Sequence, residues 1–497
     1  MRNMYRVVFV LVVEIFMLMG GVKASAQEQM TMEQAITRAR EGSVQALEAR
    51  QAFISTYWAW RAYQASRLPS LYLYGNVGNF NRSLALLQSP DDGSMKYVGT
   101  YNLQNGIGLQ ARQRIVLTGG TLDVYTDLNR IDQFGINRGI TWYTQPVTLS
   151  YRQPLFAFNQ FKWDKLIEPK EFERGRRTYL ESMERIASSA VTAYFNLLSS
   201  YEEESFSRKN YDNTCRMHEV ARERLALGSI TRDEYLQLEL RMLNDSIAIN
   251  DCAIKVREAQ MALNSLLGYV PSQEIVPILE EDLPALHLEY EWILDKALAN
   301  SRFNLSHEIE VLNARAAVEK AKAERGITMS FNARFGLSRS GVSLPEAFVN
   351  PLDQEVFGLS FSVPIFDWGQ GRGRIEKARA AEEVVKAQVQ QEENDFRRKV
   401  FTTVGQFNNQ RNQCSVSRRA ADIADERYSL MMDKFRRGTA TVLELNTART
   451  ESDNARKKYI SDVGSFWIYY YTLRQYALYD FIAGEDIVIN ENEMLER

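Results

Sequence analysis

The sequence predicts a mainly α-helical chain in which short strands interrupt very long helices, built from two copies of one unit. Three observations predict this class. The 497 residues include only 11 prolines, about 2% against a usual figure of about 5%, and none lies between Pro169 and Pro271 or after Pro364. Segments of the two halves match at constant spacings. In each half the hydrophobic pattern changes from a two-residue period to a helical period. Proline-free tracts of this length can hold very long helices.

The first 26 residues predict a secretory signal peptide. Two arginines precede a mostly apolar stretch over residues 7–19, and the small-residue site Ala24-Ser25-Ala26 follows. We expect cleavage before Gln27 and export of the mature chain. An uncleaved membrane anchor is the alternative, but the stretch is short for that role and Glu14 interrupts it. The 3 cysteines are an odd number without metal-like spacing, so disulfides are not expected to hold the fold.

Composition disfavours one broad class of protein and excludes another. The net charge of -3 provides no basic surface, so nucleic acid is not an expected partner. The mean hydropathy is -0.34, and no uninterrupted apolar run reaches 18 residues. A bundle of membrane-spanning helices is therefore excluded. A β-barrel remains allowed, because its strands are short and only half apolar.

An internal duplication is the most informative feature of the sequence. Residues 151–156 recur as residues 361–366, an offset of 210. Residues 39–43 match residues 297–301 at an offset of 258, so an insertion of 48 residues lies in the first half, between Pro69 and Tyr151. The predicted organisation is a signal peptide at 1–26, a first repeat at 27–268, a linker at 269–284, a second repeat at 285–483 and a C-terminal tail at 484–497.

Each repeat is predicted to run as leading helix, strands, very long helix and return helix. In the second repeat, residues 327–335 and 357–363 alternate between apolar and small or polar residues, which is typical of strands. Helical spacing follows from about residue 371 to 437, and a helix of about 65 residues would be roughly 100 Å long. The predicted leading helices cover residues 32–68 and 286–325, and the predicted return helices cover residues 232–267 and 442–479.

Two features of the first repeat leave alternatives open. The insertion carries a hairpin pattern, with strands at residues 110–117 and 122–127 around Thr118-Gly119-Gly120, so it adds either strands or an external loop. Pro169 falls inside the helical pattern. Because proline removes a backbone donor and clashes with the preceding turn, the first long helix is expected to start or kink there.

Both long helices end in the same sequence pattern. Gly228 and Gly438 stand where a helix C-terminus favours a left-handed residue. Three residues after each glycine a capping box begins, Thr231 to Glu234 in the first repeat and Thr441 to Glu444 in the second. Each segment therefore predicts the tip of a tight helical hairpin.

The strands limit what the protein can be. Two apolar-faced hairpins in an exported chain leave open sheet edges, which a membrane does not tolerate. Four strands are too few to close a transmembrane barrel, since the smallest have about eight. We therefore expect several chains to share one barrel. A soluble sandwich at the end of a coiled-coil rod is the alternative, which the large apolar residues on one strand face disfavour.

The duplicated unit, the Gln-Pro-Leu-Phe and Val-Pro-Ile-Phe elbows between strand and helix, and the glycine-capped tips resemble the TolC-like outer-membrane efflux family, also called outer membrane factors. The resemblance covers about residues 30–483. It implies a homotrimer with one β-barrel in the lipid of the cell outer membrane and a continuous α-helical tunnel in the periplasm. It also implies a periplasmic adaptor (membrane fusion) protein, which links the tunnel to an inner-membrane pump in tripartite efflux or type I secretion. Substrates would pass to the exterior passively. A periplasmic coiled-coil scaffold without a channel is the alternative function.

The resemblance also implies roles for residues at the tips and elbows. Contacts among charged side chains at the tips would close the periplasmic entrance, although Glu234 and Glu444 already have a sufficient role as caps. The candidate gate residues are Arg232, Asp233, Glu234, Arg436, Arg437 and Glu444. The candidate adaptor contacts are Gly228, Ser229, Thr231, Gly438, Thr439 and Thr441. The elbows are marked by Pro154, Phe156, Pro364 and Phe366.

No pattern in the sequence predicts an enzyme or a cofactor site. The segment Gly369-Gln-Gly371-Arg-Gly373 lacks the spacing of a phosphate-binding loop and is expected to be a flexible elbow. His218, His287 and His307 are too scattered to suggest a metal site. Cys215 and Cys252 lie on opposite arms of one hairpin, with an expected axial offset of roughly 12 Å, beyond the reach of a disulfide. No catalytic, metal-binding or cofactor-binding residue is therefore expected.

Overall fold

The computed structural model describes residues 28–88, 93–134, 138–280 and 282–489. The predicted signal peptide and the end of the predicted tail lie outside these residues. The chain divides into two compact units. One contains the described parts of Met1–Ile54, Arg176–Ser301 and Asn394–Arg497, and the other contains the described parts of Ser55–Gly175 and Arg302–Glu393.

Helices make up most of the described chain. Two of them are very long, with 67 and 68 residues, as the proline-free tracts predict. None of the helices in the described ranges is both long enough and apolar enough to cross a membrane. In chain order the helices are α1 Met32–Gly42, α2 Val44–Ser66, α3 Gln160–Ala226, α4 Arg232–Leu267, α5 Tyr290–Asn300, α6 Arg302–Arg325, α7 Gln370–Arg437 and α8 Val442–Ala477.

Each predicted leading helix is two helices, so the prediction of one continuous helix is wrong in both halves. Ser43 separates α1 from α2, and Ser301 separates α5 from α6. Both serines have extended backbones, with ψ angles of 148° and 164°. The Ser43 hydroxyl then accepts the amide hydrogen of Ala46 at 2.9 Å. A serine hydroxyl readily accepts an amide hydrogen at the start of a helix, so serine favours a break between two helices. The repeated segments 39–43 and 297–301, which both end in serine, therefore mark such a break in each half.

Pro169 lies inside α3. The helix begins at Gln160, so the alternative in which it starts at the proline is wrong. An interior proline costs about 3 kcal/mol, and a helix of 67 residues has enough other hydrogen bonds and contacts to continue through it.

Within the described residues, the sheet of the second unit has six antiparallel strands, the four of the two repeat hairpins and two more, so the insertion adds strands and not an external loop. In sheet order the strands are β2 Ser70–Gln88, β3 Met95–Ile115, β4 Gly120–Gln133, β5 Gly139–Leu155, β7 Thr328–Gly341 and β8 Leu352–Ser362, so β2 and β8 are the edges. The predicted hairpin around Gly119 is confirmed, because Ile115 pairs with Gly120 and Gly119 has a φ of 77°. Its strands are longer than predicted.

The register of this sheet separates apolar from polar side chains. On one face Leu149 lies opposite Phe335, and Phe331 lies opposite Leu359. Leu71, Leu73, Leu359 and Phe361 on this face are all exposed in the single chain. On the other face Arg112 lies opposite Asp123, with the Arg112 Nε 2.6 Å from the carboxylate. One side of the sheet is therefore an uncovered apolar surface, and the other carries paired charges.

The core of the first unit is organised around Tyr194 of α3, which is almost fully buried. Its hydroxyl oxygen accepts the amide hydrogen of Ile278 at 2.8 Å and lies 2.9 Å from the carbonyl oxygen of Met30. These bonds fasten two short parallel strands, β1 Glu28–Met30 and β6 Ile275–Pro277, to the long helix. Two further short strands, β9 Tyr479–Asp480 and β10 Glu485–Asp486, form a hairpin after α8.

Candidate functional site at the two hairpin tips

The first hairpin tip ends α3 at a left-handed glycine, as predicted. Gly228 has a φ of 71°. Its amide donates to the carbonyl of Leu225 at 3.0 Å, and the amide of Ser229 donates to Arg224 at 2.9 Å. These bonds satisfy carbonyl groups that the end of a helix otherwise leaves unpaired.

The second tip repeats this geometry 210 residues later. Gly438 has a φ of 81°, and its amide donates to the carbonyl of Phe435 at 3.0 Å. The amide of Thr439 donates to Lys434, also at 3.0 Å. The two long helices are therefore terminated by the same backbone arrangement.

Both predicted capping boxes are present. The Thr231 amide donates to Glu234 at 2.9 Å, and the Glu234 amide donates to the Thr231 hydroxyl at 3.2 Å. Thr441 and Glu444 form the equivalent bonds at 2.8 and 3.2 Å. The amide of Thr441, followed by its hydroxyl, lowers the pKa of the Glu444 carboxyl. Both glutamates thus hold the starts of their return helices.

The two tips contact each other through α3 and α7. The Arg224 guanidinium donates to the carbonyl of Arg436 at 2.7 Å and lies over the Phe435 ring, 5.6 Å from its centroid. Beneath this contact is a buried apolar cluster contributed by both hairpins. Its members are Met217, Ala221, Leu238, Met432, Phe435, Val442 and Leu445.

The charged gate candidates lie on the surface around this contact. Arg232 packs over the ring of Tyr235 at 5.3 Å, and Asp233 accepts a hydrogen bond from Gln237 at 2.7 Å. Arg436 and Arg437 are also exposed. The structure therefore places all four side chains where another molecule or another copy could reach them, and it ties none of them to the capping boxes.

A buried charge network between the hairpins was missed by sequence reasoning. Asp245 of α4 forms a bidentate ion pair with Arg449 of α8, and Thr214 of α3 donates to the same carboxylate at 2.7 Å. Asp453, next to Arg449, accepts a hydrogen bond from Asn210 at 3.0 Å, and burial raises the pKa of its carboxyl. Arg449 and Asp453 are four residues apart, which is also the spacing of ordinary surface pairs on helices. Their burial distinguishes Arg449 and Asp453 from such surface pairs, and burial cannot be read from the spacing.

A second buried network joins α1, α3 and α8. The Glu184 carboxylate, 2% exposed, accepts from Arg40 at 2.6 Å and from Arg474 at 2.9 Å. Arg474 also pairs with Asp480 at 2.6 Å, and Tyr470 donates to the same carboxylate at 2.9 Å. The two arginines and two carboxylates balance in charge, which is the condition under which buried charges are tolerated.

The elbows between strands and long helices are strongly exposed. Phe156 has a φ of 61° and is 73% exposed. In the second elbow Phe366 stacks edge to face on Trp368, with ring centroids 4.3 Å apart. The Asp367 carboxylate accepts the amides of Gly371 at 2.7 Å and Gly369 at 2.9 Å, and these bonds lower its pKa. The glycine-rich segment is thus capped by the chain's own carboxylate, as an elbow requires.

The remaining polar candidates do not form a site. Among the described residues, no three histidine, cysteine, aspartate or glutamate side chains are grouped so as to hold a metal ion. Cys215, Cys252 and Cys414 are free thiols. A functional role for the two tips therefore stays a prediction.

Residues 293–477 match the family model described as outer membrane efflux protein. The chain carries an outer membrane efflux protein domain. No curated protein sequence matches the chain significantly. The match to the family model confirms the predicted resemblance to the outer-membrane efflux family.

Solved structures with the same fold extend the match beyond this efflux domain. The outer membrane protein VceC of Vibrio cholerae has a TM-score of 0.61 at 14% identity, covering 90% of this chain and 95% of its own. The CmeC outer membrane channel of Campylobacter jejuni has a TM-score of 0.64 at 13% identity, covering 94% and 88%. The open state of the MtrE outer membrane channel of Neisseria gonorrhoeae has a TM-score of 0.56 at 14% identity, covering 92% and 91%. Nearly the whole chain therefore has the fold of these channels.

Proposed function

We propose that the protein is the outer-membrane channel of a tripartite efflux or type I secretion system, and that three copies form it. The observation that carries this proposal is the six-stranded sheet, which has an exposed apolar face, a charged face and two unpaired edges in one chain. An open sheet edge leaves unsatisfied backbone groups, which lipid does not tolerate. Pairing β8 of one copy with β2 of the next would satisfy both edges.

Three copies would contribute eighteen strands, since each chain supplies six. Transmembrane barrels with 16–18 strands leave a water-filled channel, and that is the size a passive duct needs. The apolar face, with Leu73 and Phe361, would contact outer-membrane lipid. The opposite face, with the Arg112 and Asp123 pair, would line the lumen. The alternation between lipid-facing and lumen-facing residues is typical of such barrels.

The long helical hairpins would form the tunnel in the periplasm, with their tips docked to an adaptor protein that links the channel to an inner-membrane pump. This assignment is supported by the exposure of Gly228, Ser229, Thr231, Gly438, Thr439 and Thr441. The tips differ in charge, because Arg232 and Asp233 correspond to Val442 and Leu443. They can therefore bind two different surfaces of an adaptor.

The proposal is tested by fractionating cells and measuring the purified protein. We expect the chain in the outer-membrane fraction, as a detergent-extracted trimer that forms water-filled pores in a planar lipid bilayer. A periplasmic scaffold would instead be recovered without detergent and would leave the bilayer conductance unchanged. That second result would overturn the channel assignment and favour the scaffold.

A further inference from the structure

The first elbow and the end of α6 face the same cavity within one chain. This cavity has a volume of about 720 Å³. Phe156, Phe158 and Lys162 line it from the elbow, and Glu319 and Lys322 line it from α6. Further along the same two helices, Lys170 of α3 pairs with Glu308 of α6 at 2.7 Å. The long helix of the first half is therefore joined to the leading helix of the second half.

The sequence offsets assign a counterpart to each side of this junction. Adding 210 to Phe156, Phe158 and Lys162 gives Phe366, Trp368 and Arg372 of the second elbow. Subtracting 258 from Glu319 and Lys322 gives Arg61 and Gln64 of α2. Arg61 and Gln64 line a second cavity, of about 780 Å³, together with Trp58, Leu68 and the end of β3. We name this second cavity the α2 groove.

One chain cannot bring the second elbow to the α2 groove. The elbow follows β8, which is one edge of the sheet, and α2 precedes β2, which is the other edge. Five strand spacings of about 4.8 Å separate the two edges by about 24 Å. Both features nevertheless lie at the same end of the sheet, where Ser70 begins β2 and Ser362 ends β8.

Both surfaces are uncovered in the single chain. Ile365, Phe366 and Trp368 are 96%, 69% and 88% exposed, and Trp58 and Leu68 of the groove are 61% and 64% exposed. Clustered apolar exposure of this kind marks an interaction site. The long helices that follow the two elbows differ in how much of their surface is covered within one chain. Residues 167–175 of α3 are half-buried except for Pro169, whereas six of the nine equivalent residues 377–385 of α7 are exposed.

We propose that the second elbow of one copy, at Ile365, Phe366 and Trp368, binds in the α2 groove of the neighbouring copy. This contact reproduces between chains the junction that Phe156 and α6 form within one chain. The groove contains Arg61, Arg67 and Arg114, which favour the Asp367 carboxylate of the elbow and disfavour its Arg372, so the exposed apolar side chains carry the contact. The occupant of the groove is a second copy of this chain. The inference rests on the proposed trimer.

Cysteine cross-linking tests this contact. In a background where Cys215, Cys252 and Cys414 are replaced by alanine, Gln64→Cys is combined with Arg372→Cys, two exposed positions that the offsets place across the junction. We expect a short bismaleimide to link the native trimer into covalent dimers and trimers. Each single variant should give none. The matched pair Lys162→Cys with Lys322→Cys should link within one chain and leave the mass of a monomer unchanged.

The possible results separate this inference from the proposed function. A trimer that conducts ions, reacts in the intrachain control and shows no link between Gln64→Cys and Arg372→Cys would overturn the contact and leave the channel intact. A purified protein that is monomeric would overturn the channel proposal, and the contact with it.

A second measurement distinguishes contact between copies from contact with lipid. If the elbow binds a neighbouring copy, Ile365→Ser should lower the temperature at which the trimer separates into monomers. Val342→Ser, at a position 76% exposed and remote in sequence from the elbow, is the matched control. An unchanged transition in Ile365→Ser, together with loss of binding to lipid vesicles, would assign the elbow to the membrane surface and overturn the proposal.

Discussion

Arg449 and Asp245 form a buried bidentate ion pair, with Nη1 to Oδ2 at 2.9 Å and Nη2 to Oδ1 at 3.0 Å. Each side chain is 7% exposed. Since Thr214 donates to the same carboxylate, helices α3, α4 and α8 meet at one charged point. Arg449 lies seven residues after the start of α8, about two helical turns from the tip. The pair therefore fixes the position of one hairpin against the other close to the proposed entrance.

Removing one partner of this pair is expected to be strongly destabilising. Arg449→Met would leave the buried Asp245 carboxylate with only Arg241, whose Nε lies 3.3 Å away on a side chain that is 34% exposed. Breaking a buried pair in this way typically costs about 3–5 kcal/mol. Thermal or urea unfolding followed by circular dichroism measures the loss. The double variant Asp245→Leu with Arg449→Met should recover much of it, because the buried Asp245 charge is removed together with its partner and Asp453 keeps its hydrogen bond from Asn210.

An exposed ion pair that also involves α8 is the control. Arg427 of α7 and Glu451 of α8 are both 48% exposed. Because solvent screens such a pair, Arg427→Met should cost about 1 kcal/mol or less. Equal losses in Arg427→Met and Arg449→Met would contradict the assignment of the buried pair as the main constraint.

The left-handed glycine at the second tip predicts a position-specific effect of alanine. Gly438 has a φ of 81°, a conformation that costs a residue with a Cβ about 1–2 kcal/mol. Gly438→Ala should therefore lower the free energy of unfolding by about that amount. Gly405→Ala is the control and should raise the free energy of unfolding. Gly405 lies exposed inside α7, where alanine favours the helix over glycine by about 1 kcal/mol. Destabilisation by both changes would argue against strain at the tip.

The local features of the fold could be predicted because short sequences determine them. Glycine caps and capping boxes depend on residues three to five positions apart, so Gly228 and Glu444 were identified from spacing alone. The break at Ser43 was missed, since an apolar helical pattern continues on both sides of it. The number of strands could not be decided from the sequence, which left the insertion as either strands or an external loop, because this segment has many small and polar residues, such as Gly106 and Gly108. The Asp245 and Arg449 pair joins residues 204 positions apart, and no local pattern reports such a contact.

The second capping box predicts a dependence of stability on pH. Since the Thr441 amide lowers the pKa of Glu444 below its ordinary value of 4.5, the ionised carboxylate is favoured in the folded tip. Its stabilising contribution is present above pH 4.5 and is lost as the pH falls through the lowered pKa. The stability difference between the native protein and Glu444→Gln should therefore shrink on acidification from pH 7. Unfolding curves across this range measure it, and a difference independent of pH would contradict the assignment.

Cys414 is predicted to be unreactive in the folded protein. Burial, with a further contribution from Asp462, raises the pKa of its thiol to about 11. Only about one molecule in a thousand then carries the reactive thiolate at pH 8. Alkylation by iodoacetamide at this pH should be slow in the native protein and fast in urea, as mass spectrometry of the Cys414 peptide would show. Rapid labelling of the native state would mean that this part of α7 is accessible.

The charged residues of the first tip predict a change in channel conductance. Arg232 and Asp233 are exposed and take no part in the capping box, so replacing both with alanine should leave the hairpin folded. If they help to close the entrance, the double variant should raise single-channel conductance in a planar bilayer. Salt should raise the conductance of the native channel by more than it raises the conductivity of the bulk solution, because salt also screens exposed charges over about 8 Å at physiological ionic strength.

The control variant removes the same two charges from the same helix, at positions away from the tip. Asp251→Ala with Arg257→Ala also removes one negative and one positive exposed side chain from α4. We expect this control to conduct like the native channel, because a gate depends on where the charges lie and not on how many α4 carries. Unchanged conductance in the Arg232→Ala and Asp233→Ala variant would remove both residues from the gate and leave adaptor binding as the remaining role of this tip.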